Sequence, residues 1–214
     1  MSTEFNAIVN AALLHAVSLF TSTEQHRYYL AGVQIEPHPN MPGALLVATD
    51  GHRMLIAHDQ SATVTGSGII PVSKAMLAEL ARLRKEYRSI DQDSFGFMLD
   101  GKTARVSIAG DALKTAAILP AERIDGHFPD WRHVAKTKHE GENKVGTVCF
   151  NIELAASFVK AEAIALGYKN QDCKLQIWAS NVADPMIIRF SDKRLHGIFM
   201  PISGESEYSA PYFL

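Results

Sequence analysis

Cysteine is scarce in this chain of 214 residues, in which Cys149 and Cys173 are the only two. Their spacing matches no metal-ligand pattern, and each lies in an apolar or alternating stretch that is typical of a strand. The simpler expectation is therefore a protein of a reduced, cytoplasmic compartment.

Long apolar runs are absent as well. Residues 1–5 lack the charged and apolar regions of a signal peptide. No apolar stretch approaches the length of about 20 residues that a membrane-spanning helix needs. The sequence therefore predicts a soluble protein without a membrane partner.

The chain also lacks an excess of charge of either sign. It has 21 lysines and arginines against 23 aspartates and glutamates, which gives a formal net charge of −2. This balance argues against attraction of the whole molecule to nucleic acid, although a local basic face remains compatible with it. With 47% hydrophobic residues, the chain can bury a sound core as one large domain or two small ones.

Catalytic motifs are missing too. A metal-dependent hydrolase site could be imagined from Asp50, His52, His58, Asp125 and His127, because nine histidines is a generous number for this length. However, the sequence contains no H-E-x-x-H motif, no paired metal-ligand spacing and no nucleophile elbow. An enzyme is the less favoured class, and no catalytic residue, metal ligand or cofactor is predicted.

What is present is a repeat: a strand, a helix and three strands occur in this order three times. The first unit is predicted to have a strand ending at Phe5, the helix N-cap Asn6, a helix over residues 7–20 and strands over residues 28–36, 44–49 and 53–58, the last two joined by an Asp50-Gly51 hairpin turn. The second has a strand over residues 68–71, the N-cap Ser73, a helix to residue 86 and strands over residues 94–99, 103–109 and 112–119. The third has a strand over residues 146–150, the N-cap Asn151, a helix over residues 152–166 and strands over residues 174–179, 186–191 and 195–202. Such a repeat predicts an α+β protein in which each unit packs its helix on its own sheet.

The second and third units are separated by residues 121–143. Phe128, Trp131 and Val134 are expected to anchor the first half of this segment, whereas its second half is polar, rich in lysine and typical of a linker. The predicted division is a two-unit domain over residues 1–135, a linker over residues 136–145, a third unit over residues 146–202 and a tail over residues 203–214.

Four short motifs follow one another along the chain. They are Arg27-Tyr28-Tyr29-Leu30, Ala48-Thr49-Asp50-Gly51-His52-Arg53, Asp125-Gly126-His127-Phe128-Pro129-Asp130-Trp131-Arg132 and Met200-Pro201. Together, in this order, they strongly resemble the middle domain and final strands of the bacterial DNA polymerase III beta sliding clamp family. The resemblance implies the DNA clamp fold, with antiparallel sheets outside and helices on one face. Each domain of that family is built from two helix-and-sheet units, which agrees with the repeat.

The resemblance implies a processivity factor that tethers a DNA polymerase to double-stranded DNA without reading its sequence. A basic lining attracts phosphates, whereas contacts to bases would stop sliding. The second helix could supply such a lining, because its apolar residues recur at helical spacing and leave the cations elsewhere. The apolar stripe comprises Met76, Leu80, Leu83 and Tyr87.

The predicted DNA-binding residues are two tyrosines that match DNA-contacting positions of the family and four cations of the second helix. They are Tyr28, Tyr29, Lys74, Arg82, Lys85 and Arg88. The first and third helices carry few cations, chiefly His15 and Lys160. A solvated charged face is the alternative for the cations, and packing in the core or at an edge is the alternative for the tyrosines.

The resemblance also implies a pocket for short linear peptides of the polymerase and the clamp loader. The matching residues are Leu30, Thr49, Gly51, His52, Arg53, Met54, Pro129, Val134, Met200, Pro201 and Ile202. Apolar walls with a few polar groups suit a peptide with leucine and phenylalanine anchors, and methionines let such a pocket adapt. His133 stands where the family commonly has an arginine. An ordinary interdomain core is the alternative.

The number of units bears on assembly. Family members have six units, whereas this sequence has three, which match the middle domain and the second half of the last domain. If a ring takes twelve units, four chains are expected, with third units pairing across a dimer and two dimers closing the ring. A clamp-like adaptor that binds peptides without encircling DNA is the leading alternative. The aromatic end of the tail, Tyr212-Phe213-Leu214, suggests that residues 208–214 occupy the peptide pocket of the same chain or of a neighbour. A disordered or simply packed terminus is the favoured alternative.

Overall fold

The computed structural model describes residues 5–87, 89–108, 118–135, 150–167, 173–179 and 184–202. The first unit consists of β1 (Asn6–Asn10), α1 (Ala11–Ser18), a 3-10 segment (Gln25–Leu30), β2 (Val33–Pro37), β3 (Ala44–Thr49) and β4 (Arg53–Asp59), and is followed by the short strand β5 (Thr63–Thr65). The second consists of β6 (Gly68–Ile70), α2 (Lys74–Glu86), a 3-10 turn (Gln92–Ser94), β7 (Phe95–Leu99), β8 (Thr103–Ile108) and β9 (Ile118–Pro120). The short helix α3 (Trp131–Ala135) precedes the third unit, which consists of α4 (Ile152–Leu166), β10 (Gln176–Trp178), β11 (Met186–Arg189) and β12 (Leu195–Phe199).

The strands of the described residues form two antiparallel sheets, which confirms the α+β class. Five strands lie in the order β5-β1-β7-β8-β9 and seven in the order β10-β11-β12-β4-β3-β2-β6. Strands of both sheets and the helices α1, α2 and α4 contribute side chains to one continuous apolar core.

The first two units exchange their first strands. β1 of the first unit pairs with β7 of the second, with Val9 opposite Phe97, and β6 of the second unit pairs with β2 of the first, with Ile69 opposite Gln34. Each of these two sheets therefore contains a strand from the other unit, an exchange that the sequence did not predict, whereas α1 packs against β3 and β4 and α2 against β8 of their own units, as predicted.

The third unit is joined to the first by strand pairing and by helix packing. β12 pairs with β4, so that the two units share one sheet. The rings of Phe20 and Phe158 lie 4.8 Å apart where α4 meets the end of α1. Gly197 makes this contact possible, because a Cβ atom at that position would lie 2.7 Å from the Phe158 ring.

The start of the first helix differs from the prediction. Asn6 is a strand residue, and Asn10 is the N-cap, whose side chain accepts hydrogen bonds from the backbone N–H groups of Ala12 and Leu13. The apolar run over residues 7–20 therefore divides into a strand with β-branched residues and a helix. The prediction failed because Asn6 and Asn10 can both cap a helix, and the apolar residues around them carry no period that decides between the two.

Smaller differences concern strand ends. Residues 28–30 belong to a 3-10 segment, not to a strand, and Met200, Pro201 and Ile202 lie beyond the end of β12. The bounds of α4 and its cap Asn151 match the prediction, as does Ser73 as the cap of α2.

Several predictions lie outside the described residues: Arg88, the linker over residues 136–145, the tail over residues 203–214, most of the strand over residues 112–119 and the strand over residues 146–150 except Phe150. Among the helices that the structure describes, none is long and apolar enough to cross a membrane.

Candidate functional site

The turn between β3 and β4 is ordered by its own polar side chains. The Asp50 carboxylate accepts hydrogen bonds from the backbone N–H groups of His52 and Arg53, at 2.9 and 3.0 Å. Thr49 donates its hydroxyl to the Arg53 carbonyl at 2.8 Å and accepts a bond from the Gly51 N–H. Gly51 has a φ of 91°, a conformation that favours glycine. The turn therefore presents His52 to solvent in a defined position.

Arg53 points inward from this turn. Its guanidinium forms a salt bridge with Asp50 at 2.9 Å and donates to the carbonyl oxygens of Leu19 at 3.2 Å and Leu154 at 3.3 Å. It also lies over the Phe20 ring, 4.9 Å from its centroid. One side chain thus connects the turn with the end of α1 and the first turn of α4.

An apolar cluster lies where the crossing segment before the third unit meets the seven-stranded sheet. We call it the junction cluster; its buried members are Leu30, Leu45, Val47, Met54, Ile56, Ile69, Phe128, Trp131 and Ile198. Val134 and Tyr29 pack against it and are partly exposed. The predicted pocket residues Leu30, Met54 and Val134 therefore come together here.

A cleft of about 520 Å³ opens between the His52 turn, the start of α4 and the end of β12. We call it the junction cleft; it is lined by His52, Asn151, Leu154, Phe199, Met200, Pro201 and Ile202. The backbone N–H of Met200 donates to the His52 carbonyl at 2.8 Å, which fixes the end of β12 against the turn. Met200 is 37% exposed and Ile202 more so, so the cleft carries apolar surface that faces solvent.

The predicted pocket residues thus fall into groups. Leu30, Met54 and Val134 belong to the junction cluster; His52, Met200, Pro201 and Ile202 line the junction cleft; Thr49, Gly51 and Arg53 build the turn. Pro129 instead lines a separate groove of about 510 Å³, where Arg132 forms a salt bridge with Glu36. Sequence reasoning missed Asn151 and Leu154, because it treated Asn151 as a helix cap and nothing more.

Basic side chains from α1, α2 and α4 lie near one another, and we call the face formed by these three helices the helix layer. Burial, followed by the positive charges of Arg84 and Lys160, lowers the pKa of His15 to about 4. These residues belong to α1, α2 and α4, respectively. His15 is therefore uncharged near neutral pH, and Arg84 and Lys160 give this region a local positive charge on a chain that is acidic overall.

Arg84 was missed in the sequence. Burial lowers the pKa of its guanidinium, and its Nε and Nη2 atoms are buried without a hydrogen-bond partner in the described part of the chain. Arg84 follows Leu83 and lies at the border of the apolar stripe of α2. The spacing of residues therefore assigned it neither to the buried face nor to the charged face of this helix. Buried guanidinium donors without acceptors are unusual, and an anionic oxygen would satisfy them.

The predicted DNA-binding residues differ in their surroundings. Arg82 is held in salt bridges with Glu79 and Glu86, which offset its charge, whereas Lys74 and Lys85 are exposed. Tyr28 is exposed and Tyr29 is half-buried against the junction cluster, with the two rings 5.8 Å apart and edge to face.

Within the described residues, no group of three or more His, Cys, Asp or Glu side chains could hold a metal ion. The hydrolase alternative therefore gains no metal centre from this part of the structure.

Residues 6–130 match the family model for the central domain of the DNA polymerase III beta subunit. No curated protein sequence matches the chain.

Solved structures of bacterial clamps have the same fold. A DnaN sliding clamp from Bartonella birtlesii, bound to griselimycin, is 18% identical with a TM-score of 0.60, and the match covers 95% of this chain and 66% of that one. A DNA polymerase sliding clamp from Pseudomonas aeruginosa is 16% identical with a TM-score of 0.56 and coverages of 94% and 66%. A Helicobacter pylori beta clamp bound to a DNA ligase peptide is 13% identical with a TM-score of 0.55 and coverages of 95% and 66%. The chain thus has the clamp fold and spans 66% of the length of these proteins.

Proposed function

This chain belongs to the DNA polymerase III beta subunit family, and from that membership we propose that it is a sliding clamp-like processivity factor. In this role it tethers a DNA polymerase to duplex DNA and binds short peptides of the polymerase and its loader at the junction between the middle domain and the third unit. It has no catalytic role of its own.

The observation that carries the proposal is the assembly of the junction from three distant segments. Residues 49–54, 128–134 and 198–202 meet there, and they present a buried apolar cluster beside a cleft whose rim is apolar and exposed. Exposed apolar side chains beside a few polar groups, here His52 and Asn151, are typical of a peptide-binding site. The Helicobacter pylori clamp with its bound DNA ligase peptide supports the same use of the fold.

We propose that the helix layer faces the DNA. Arg84 and Lys160 bring positive charge there from two helices, and such charge attracts phosphates. Contacts of this kind are independent of sequence, as sliding requires. Because Arg82 is neutralised by two glutamates, we assign the larger contribution on α2 to Arg84, Lys74 and Lys85.

Encircling DNA requires self-association, for which we propose a ring of four chains with three units each. The strands at the ends of the two sheets would carry the contacts between chains, since an unpaired strand edge is a template for further pairing.

The peptide pocket is tested by Met200→Glu, which places a charge on the rim of the junction cleft. Met98→Glu is the matched control, because Met98 is 39% exposed against 37% for Met200 but lies on β7 of the other sheet. Fluorescence anisotropy with a labelled peptide that carries leucine and phenylalanine anchors is the measurement. We expect Met200→Glu to weaken binding at least about tenfold, which corresponds to about 1.4 kcal/mol.

The control variant should bind like the unmodified chain. Two results would contradict the pocket: peptide affinity that is unchanged in both variants, and peptide affinity that falls by the same factor in both.

A further inference from the structure

A row of apolar side chains crosses the outer face of the seven-stranded sheet, next to the proposed peptide site. Ile177 lies opposite Ile188, which is buried in the core, so the adjacent residues Trp178 and Ile187 lie on the other face of the sheet. Ile187 also lies opposite Ile198, a buried member of the junction cluster. We call Trp178, Ile187 and Ile198 the outer row; it leads from the junction cluster to β10 at the end of the sheet.

The outer row is continuous with the rim of the junction cleft. The backbone bond from Met200 to His52 extends the ladder between β12 and β4, in which Phe199 lies opposite Arg53. Phe199 faces the core, and side chains alternate along an extended chain. Met200 therefore shares the outer face with Ile198. A peptide that contacts the exposed rim of the cleft can continue along the outer row without crossing the sheet.

The far end of the outer row carries a positive charge. The guanidinium of Arg189 lies over the Trp178 ring, 4.6 Å from its centroid. Arg189 is exposed, whereas Trp178 and Ile187 are half-buried. In the part of the chain that the structure describes, Arg189 forms no salt bridge with an acidic side chain. A guanidinium that lies on an aromatic ring keeps the donors at its edge available for a carboxylate.

The neighbouring histidine adds no charge of its own at neutral pH. His196 on β12 lies opposite Arg189 and on the same face of the sheet. Burial, followed by the positive charge of Arg189, lowers the pKa of His196. The imidazole is then uncharged near neutral pH, so the positive charge at this end of the outer row is that of Arg189.

We propose that Trp178 and Arg189 form a further subsite for the partner peptide, and that this subsite selects an acidic side chain. The inference rests on the proposed function, because it extends the peptide site at the junction. The apolar anchors of the peptide bind at the junction, and an aspartate or glutamate farther along the peptide pairs with Arg189. Trp178 is a positioning residue, since it holds the guanidinium that makes the contact.

The dimensions of the sheet set the position of the acidic residue in the peptide. Neighbouring strands lie about 4.8 Å apart, so Trp178 on β10 lies about 10 Å from Ile198 on β12. An extended peptide advances about 3.3 Å per residue. The acidic residue is therefore expected about three residues from the anchor that contacts the junction cluster.

The first test compares peptides that differ in one charge. Peptides with leucine and phenylalanine anchors carry an aspartate three residues before or after the anchors, and each has a matched peptide with asparagine. Fluorescence anisotropy at low ionic strength measures their affinities. We expect the unmodified chain to bind one aspartate peptide about three- to fivefold more tightly than its asparagine match, as is usual for a partly exposed ion pair.

Arg189→Gln should remove this preference and bind the asparagine peptide like the unmodified chain. Arg105→Gln is the matched control: it removes the same charge from a partly exposed arginine, which lies on β8 of the five-stranded sheet. This variant should keep the preference. Circular dichroism checks that both variants fold.

The role of Trp178 is tested by the ratio of the two dissociation constants, not by affinity alone. Trp178→Ala should lose most of the preference for the aspartate peptide, whereas Trp178→Phe should keep most of it, because a phenylalanine ring still supports the guanidinium. A purely structural role would lower the affinity for both peptides by the same factor and leave the ratio unchanged.

Equal affinity of the unmodified chain for the aspartate and asparagine peptides would overturn the proposal. It would also be overturned by a preference that persists in Arg189→Gln, or that Arg105→Gln loses to the same extent. These results leave the junction pocket intact as long as the peptides bind. If none of the peptides binds the unmodified chain, the proposed peptide site fails and the subsite fails with it.

Discussion

Arg53 holds three parts of the molecule together with one guanidinium group. Its salt bridge with Asp50 is largely shielded from solvent, and its other donors reach one carbonyl on α1 and one on α4. Removal of a partly buried charge leaves its partners unsatisfied, which costs more than an exposed pair contributes. The residue therefore stabilises the wall of the junction cleft by fixing the third unit to the first.

Arg53→Ala is expected to lower the free energy of unfolding by about 2–4 kcal/mol, because Asp50 and two carbonyl groups lose their partner. Arg53→Lys should lose less stability than Arg53→Ala but more than none, since a lysine keeps the charge but lacks the planar fork of the guanidinium. Arg82→Ala is the control: its two salt bridges are solvent-exposed, and we expect little change. Urea unfolding followed by circular dichroism measures all three. Equal losses in Arg53→Ala and Arg82→Ala would contradict the structural role.

The sequence placed Arg53 at a peptide pocket but could not show its inward direction. Its acceptors on Leu19 and Leu154 lie 34 and 101 residues away along the chain, and no local pattern indicates them. His52, its neighbour, is exposed at the mouth of the cleft. Adjacent polar residues of one turn thus have different roles, which depend on the packing around them.

At the scale of elements, the helix caps show which parts of the repeat can be derived locally. Asn10 is buried; besides capping α1, its side-chain amide donates to Asp93 at 3.1 Å. Asn151 caps α4 at the surface. Asn6, the predicted cap of the first helix, is an exposed residue of β1.

Alanine substitutions should lower the free energy of unfolding most at Asn10, less at Asn151 and least at Asn6. We expect Asn10→Ala to cost about 1–2 kcal/mol and Asn151→Ala about 1 kcal/mol, because each removes a cap and the first also removes a buried hydrogen bond. Asn6→Ala should stay within about 0.5 kcal/mol, as is usual for an exposed position. Thermal unfolding gives the three values. A loss for Asn6→Ala as large as that for Asn10→Ala would contradict the assigned helix start.

The helices α2 and α4 could be predicted because each begins at a cap and then alternates apolar and polar residues at helical spacing. The start of α1 could not, because Asn6 and Asn10 are both possible caps and the residues next to each of them are apolar. Most of the strands predicted after the helices were found, apart from shifts at their ends, and residues 112–117 lie outside the described part of the chain. The exchange of β1 and β6 was not predicted. Strand partners are chosen by packing between distant segments, which a period of two along one strand does not encode.

At the scale of the whole molecule, α4 connects the two proposed binding surfaces. Leu154 in its first turn lines the junction cleft, and Lys160 belongs to the basic region of the helix layer. Four motifs and the count of units were sufficient to predict the family and the α+β class. The exposed Ile177 on a core face required the structure, since its sequence context is that of an ordinary strand.

The most direct test of a tethering role is whether the chain holds duplex DNA and a partner peptide at the same time. Immobilised duplex DNA of arbitrary sequence is incubated at low ionic strength with the labelled peptide and the chain, and retained fluorescence is measured. We predict that the peptide is retained only with the chain present, that Met98→Glu retains it equally, and that Met200→Glu retains the chain but not the peptide. Peptide that binds the chain in solution yet stays off the DNA, or DNA that displaces the peptide, would contradict the proposed function.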